Sequence, residues 1–199
     1  MDYSIENLKL LIEENGGIAT FKDLQKAGID RILLYEILVQ GILKKESHGN
    51  YVIAGKEPDE YKIIQNHSDK LIYSYGTALF LLGFSDRVPH ELDITVPQGN
   101  NISRIKKQYD NTRFHYCKKE LWSLGITDVK TPQGYEVKTY DIERCICDLI
   151  KDKNHMDMQI YTQAVKEYFS RNCNPRKIIK YAKYFNLETK VRTYMEVLQ

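Results

Sequence analysis

The sequence predicts an α+β protein built in two parts, residues 1–56 and residues 61–199. Three observations carry that reading. The first part orders as three short amphipathic helices followed by a hairpin. Residues 55–60 then hold Gly, Pro and charge without one apolar side chain, which suits a linker or exposed loop. Beyond them, segments of strand period alternate with segments of helical period and give way to helices at the end, so the second part is a mixed α/β domain with a helical tail.

The first helix spans residues 4–14, where Ile5, Leu8, Leu11 and Ile12 recur at helical spacing. Gly16 and Gly17 end it, because glycine tolerates the left-handed geometry of a helix terminus. Thr20 with Asp23 has the form of a capping box and opens a second helix over residues 21–27, closed by Gly28. Asp30 caps a third that runs through residue 40, with Leu33, Leu34, Ile37 and Leu38 inward and Gly41 as its stop. Extended runs at residues 42–45 and 51–53 flank Gly49-Asn50, a pair that favours a hairpin tip.

Helices in this order, then a hairpin, predict an N-terminal winged helix-turn-helix in residues 1–56. In that module the third helix enters the major groove and the wing rests on the neighbouring backbone. The candidate DNA contacts are Lys22, Arg31, Lys44 and Lys45 near the groove face, Tyr35 one turn beyond Arg31, and His48 and Asn50 at the hairpin tip. Arg31 has the fork that pairs with a guanine edge. Each also has an ordinary role: a solvated first-turn arginine, a tyrosine packed beneath the wing, polar residues in a turn. Residues 1–60 hold 7 basic and 11 acidic side chains, net −4, which is poor in the phosphate-neutralising charge that DNA affinity rests on. A small helical module that binds protein is the other reading of this half.

In the second part, Ser74-Tyr75-Gly76 precedes an apolar helix at residues 77–82. Residues 91–96 alternate and stop at Pro97, and residues 112–117 form another candidate strand. Val129-Lys130, the turn Thr131-Pro132-Gln133-Gly134 and residues 135–138 read as a hairpin. Ile142, Cys145, Ile146, Leu149 and Ile150 make a helical stripe, residues 159–169 another helix, and Asn174-Pro175 an N-cap followed by proline at the first helical position. The last helix buries Val191, Tyr194 and Leu198. On the Asn174-capped helix, Arg176, Lys177, Lys180 and Lys183 share one face, opposite Ile178, Tyr181, Ala182 and Phe185. A basic face interleaved with tyrosine suits phosphate contact and base stacking, and equally a solvated surface. Residues 151–199 carry 10 basic and 5 acidic side chains, net +5, so an additional nucleic-acid contact is expected there.

Composition excludes several classes. Apolar residues at 42% and charged at 28% are ordinary for a globular chain and exclude a disordered one. The longest apolar run, residues 78–82, is far short of the roughly 20 residues of a membrane span, so no membrane partner is expected. Met1-Asp2-Tyr3-Ser4 opens without a basic segment and apolar core, which predicts a cytoplasmic location. Cys117, Cys145, Cys147 and Cys173 make no C-x-x-C pair and the histidines no H-x-x-x-H pair. Reduced thiols, and neither metal nor cofactor, are the expectation.

Two catalytic patterns occur. Gly76-Thr77 before a helix and then Asp93 on a strand imitates the opening of a nucleotidyltransferase. That chemistry uses paired carboxylates to hold the metal ions, and here Glu91 with Asp93 replaces D-x-D by E-x-D. Asp93 followed by Glu136-Val137-Lys138 matches the acid and E-x-K arrangement of a metal-dependent nuclease, although Glu136 and Lys138 are also plain same-face neighbours of a hairpin strand.

Three segments together resemble the AbiEi-family antitoxins of bacterial type IV toxin–antitoxin (abortive infection) systems. They are Gly41-Ile42-Leu43-Lys44-Lys45 with His48-Gly49-Asn50-Tyr51-Val52-Ile53; Tyr75-Gly76-Thr77-Ala78-Leu79 with Leu82-Gly83-Phe84-Ser85-Asp86-Arg87-Val88-Pro89 and Asp93-Ile94-Thr95-Val96-Pro97; and Glu143-Arg144-Cys145-Ile146-Cys147-Asp148-Leu149. The resemblance implies a winged helix that represses its own operon at promoter inverted repeats. It also implies a C-terminal domain that counteracts a nucleotidyltransferase-like toxin without a stable complex. It transfers no catalytic residue. The expected partners are therefore double-stranded promoter DNA and, functionally, the cognate toxin.

Overall fold

The computed structural model describes residues 5–47 and 49–198. The chain is α+β, with eleven α-helices and two sheets among the described residues. It divides into two compact units, residues 1–67 with 131–136, and residues 68–130 with 137–199.

The first unit opens with α1 (Ile5–Glu14), β1 (Ile18–Thr20), α2 (Phe21–Lys26), α3 (Arg31–Val39), β2 (Leu43–Ser47) and β3 (Asn50–Ile53). The strands form one antiparallel sheet in the order β1-β3-β2. Ile18 faces Val52 and Thr20 faces Asn50, while Leu43 faces Ile53 and the register slips between Lys45 and Ser47. Thr20 and Asp23 make the expected reciprocal capping box on α2. Asp30 caps α3 by accepting the N–H groups of Ile32 at 2.9 Å and Leu33 at 2.8 Å. Gly28 takes a φ of +83°, the left-handed turn that carries α2 into α3. Leu8, Ile12, Ala19, Leu24, Ile29, Leu34, Ile37, Leu43 and Ile53 form the core.

Two expectations for this half are corrected. Leu33 is partly exposed rather than inward, since the core faces of α3 are filled by Leu34 and Ile37. The charged stretch at residues 55–60 ends in structure, not in open loop. Asp59 is fully buried and N-caps α4 (Glu60–Gln65), accepting the Lys62 N–H at 2.8 Å and the Thr131 hydroxyl at 2.5 Å. Its burial is tolerable because both carboxylate oxygens have donors.

The second unit continues with β4 (Ile72–Tyr73), α5 (Tyr75–Leu81), β5 (Leu92–Pro97), α6 (Ser103–Gln108), β6 (Thr112–Cys117), α7 (Lys119–Trp122), β7 (Ile126–Lys130) and β8 (Glu136–Tyr140). The sheet order is β6-β5-β4-β8-β7, with β5 parallel to β6, β4 antiparallel to β5 and β4 parallel to β8. The helical tail follows: α8 (Ile142–Lys151), a 3₁₀ turn at Lys153–His155, α9 (Met158–Glu167), a π-helical turn at Tyr168–Asn172, α10 (Pro175–Phe185) and α11 (Glu188–Leu198). Helix α8 packs on α5 and α10, and α10 on α11. The stripe of Cys145, Ile146, Leu149 and Ile150 meets Ile178, Tyr181, Ala182 and Phe185 in this core, as the helical spacing predicts. Among the described residues no helix is long and apolar enough to cross a membrane.

Candidate functional site

The exposed face of α3 is the first candidate. Arg31, Ile32, Tyr35 and Val39 recur at helical spacing on the side opposite Leu34 and Ile37. Ile32 is 73% exposed and Tyr35 and Val39 are each 69% exposed. The Arg31 guanidinium lies 5.7 Å from the centroid of the Phe21 ring, which aims it across the start of α2. Lys22, at the start of α2, is exposed. On β2, Lys45 is exposed and Lys44 reaches Glu46 at 3.6 Å. Asn50 is half-buried, opposite Thr20 in the sheet. His48 lies outside the described residues. Sequence reading singled out Arg31 and Tyr35 on this helix but passed over Ile32 and Val39. The i, i+3, i+7 spacing of Ile32, Tyr35 and Val39 was the available signal.

The basic face of α10 is divided. Arg176, Lys180 and Lys183 are exposed. Lys177 is instead tied to Glu143 at 2.8 Å and Asp141 at 3.1 Å, with its ammonium 5.8 Å from the Tyr181 ring. Burial pulls its pKa down, but the hydrogen bonds it donates to Glu143 and Asp141 outweigh that and lift it to about 12. The Tyr181 hydroxyl donates to the same Asp141 carboxylate at 3.0 Å.

The third candidate surrounds Asp93. Parallel pairing sets Asp93 on β5 beside Arg113 and Thr95 beside His115 on β6. The Asp93 carboxylate receives the Gly76 N–H at 3.2 Å and meets His115 Nε2 at 2.8 Å, with Arg113 at 3.9 Å. Its own backbone N–H donates to Thr77 Oγ1 at 2.8 Å. Arg113 also pairs with Glu91, so the E-x-D carboxylates share one protein cation. Tyr75 holds a left-handed φ of +46°, a strained conformation for a bulky residue. Its ring lies against that of His115, tilted by 32° with centroids 4.1 Å apart, and its hydroxyl donates to Asp152. Burial, with Asp148 and Asp152 nearby, pushes that phenol well above its ordinary range. Tyr75, Asp93, Arg113, His115, Asp152 and Ile160 are among the residues lining a cavity of about 330 Å³. Lys138 reaches Asp128 at 2.8 Å across the β7–β8 hairpin. Among the described residues, no three His, Cys, Asp or Glu side chains gather as a metal-holding group. The four cysteines are unbridged thiols, and burial pushes Cys147 up to about 12.

No family model matches the chain. No curated protein matches it either. Among solved structures, the chain is similar to the crystal structure of the RV2827C protein from Mycobacterium tuberculosis, with a TM-score of 0.61 at 10% sequence identity. The match covers 96% of this chain and 79% of that one, and the likeness is one of fold.

Proposed function

We propose that the chain is a DNA-binding autoregulator and antitoxin of the AbiEi kind, with a winged helix-turn-helix as its reader. The observation that supports this is the order α1-β1-α2-α3-β2-β3 with sheet order β1-β3-β2, in which α3 has a solvent-facing side and is followed by the antiparallel pair β2–β3. Such a helix enters the major groove and such a wing follows the adjacent backbone. Lys22, Arg31 and Lys45 supply the positive charge around it. Arg176, Lys180 and Lys183 are the exposed cations of α10 that serve a second contact, and Lys177 is given to Glu143 and Asp141.

The second unit acts in this reading without catalysis. The carboxylates of Glu91 and Asp93, which a metal-dependent transferase or nuclease would need, are engaged by Arg113, His115 and the Gly76 N–H. The antitoxin role rests on the resemblance at residues 75–97 and 143–149. Two assays on the full chain test the proposal: a mobility shift with the duplex upstream of its own reading frame, and rescue of growth when the adjacent toxin gene is induced. A retarded promoter band and rescue are expected. Absence of both would overturn the reading.

A further inference from the structure

We infer that α3 reads its operator chiefly through thymine methyl groups, with Ile32, Tyr35 and Val39 as the readers; this rests on the DNA-binding reading above. Large apolar side chains 69–73% exposed along one helix face are unusual, because the water-facing side of an amphipathic helix is ordinarily polar. In the major groove the thymine C5-methyl is the apolar feature of the base-pair edges, and apolar side chains are its partners. The face has Arg31 as its cation for a guanine edge and is otherwise apolar apart from Glu36.

Three exposed cations of the same unit argue for a polyanion as the occupant, although the module's net charge is −4. Lys22, Arg31 and Lys45 are exposed, and among the described residues none of them has a carboxylate within ion-pair distance. They come from α2, α3 and β2, with Arg31 on the stripe's own helix. Groove phosphates offer such cations partners while the stripe meets bases. Apolar contact then supplies discrimination that a module of net charge −4 cannot draw from phosphate attraction alone.

The test uses the full chain and the duplex upstream of its own reading frame, made once with thymine and once with deoxyuridine. Uracil keeps every hydrogen-bonding group and lacks only the methyl. Affinity is expected to fall about fourfold for each contacted methyl removed. An unrelated duplex should bind equally in both forms. The double variant Ile32→Ser/Val39→Ser, altered at exposed positions and checked for unchanged circular dichroism, should lose the preference for thymine over uracil. Equal wild-type affinity for the two promoter duplexes would overturn the inference, as would a variant that keeps the preference. If the variant binds both duplexes as the wild type does but fails to counteract the toxin, the stripe belongs to a protein partner and the inference falls. If the wild type binds no promoter duplex in either form, it is the DNA-binding reading itself that fails.

Discussion

Arg144 and Asp148, one turn apart on α8, form an ion pair at 2.9 Å with both side chains almost completely buried. The Arg144 guanidinium also lies over the rings of Tyr140 at 4.2 Å and Phe185 at 4.8 Å, and donates to the carbonyls of Leu121 and Leu124. One cation thus joins the sheet's last strand, the α7 turn and α10 to α8. Removing one member of a buried pair strands the other, so Asp148→Ala is expected to lower stability by about 3–5 kcal/mol in urea unfolding.

The same pair makes stability depend on pH. Burial raises the Asp148 carboxyl from its ordinary 3.8 to about 6, against the pull of Arg144. The folded chain therefore holds that proton more tightly than the unfolded chain does. The contribution of this group is complete below about pH 3.8 and is lost as pH rises through about 6, a falling component on the order of 3 kcal/mol. Asp148→Asn, which carries no titrating proton, should flatten the stability profile across that window. Urea unfolding of both chains at a series of pH values measures it.

Gly125 has a φ of +81°, and a Cβ there would lie 2.8 Å from Arg144 Cβ and 3.2 Å from both Asp141 carboxylate oxygens. Neither neighbour can yield, since Arg144 is locked in the core and Asp141 caps α8 and binds Lys177 and Tyr181. Gly125→Ala is expected to lower stability by about 2 kcal/mol or more, beyond the cost of the left-handed backbone alone. A melting temperature equal to that of the wild type would contradict this packing.

In the first unit, Asp59→Ala removes the cap of α4 and leaves the Thr131 hydroxyl without its acceptor. A loss of about 2–3 kcal/mol is expected, from the cap and the orphaned buried donor together. Thr131→Val strands the buried Asp59 carboxylate oxygen and the Tyr135 N–H, so the double variant Asp59→Ala/Thr131→Val should cost less than the sum of the two single changes. Additive losses in chemical denaturation would contradict the assignment.

The occupied carboxylates of Asp93 and Glu91 bear on metal binding. With Arg113 and His115 already placed against them, millimolar Mg²⁺ is expected to leave the melting temperature unchanged. A ligand held at about a hundred times its Kd would add roughly 2.7 kcal/mol, so a rise of several degrees would show a divalent-cation site at Asp93.

Much of the local structure was legible because single-element signals are strong. Thr20-x-x-Asp23, Asp30, Asn174-Pro175 and the stripe from Ile142 to Ile150 each state a helix boundary or a buried face in adjacent residues. Strand β1, of three residues, and β4, of two, are too short to show a period, and their partners define them: β3 for β1, and β5 and β8 for β4. Asp59 looked like linker chemistry because its donor, Thr131, lies 72 positions away. The partners of Asp93 were hidden for the same reason: the register that brings Arg113 and His115 to it belongs to the pairing of β5 with β6. Lys177 matched its neighbours in charge and helical phase, but its acids sit at the start of α8.

The most direct test is the salt dependence of binding between the full chain and the duplex upstream of its own reading frame, beside the variant Arg31→Ala. Six phosphates neutralised by Lys22, Arg31 and Lys45 and by Arg176, Lys180 and Lys183 of α10 give an expected slope of log affinity against log salt of about −5. Arg31→Ala should weaken promoter binding by about tenfold or more and leave an unrelated duplex little changed. Binding that is indifferent to Arg31, or equal for the promoter and the unrelated duplex, would contradict α3 as the reader.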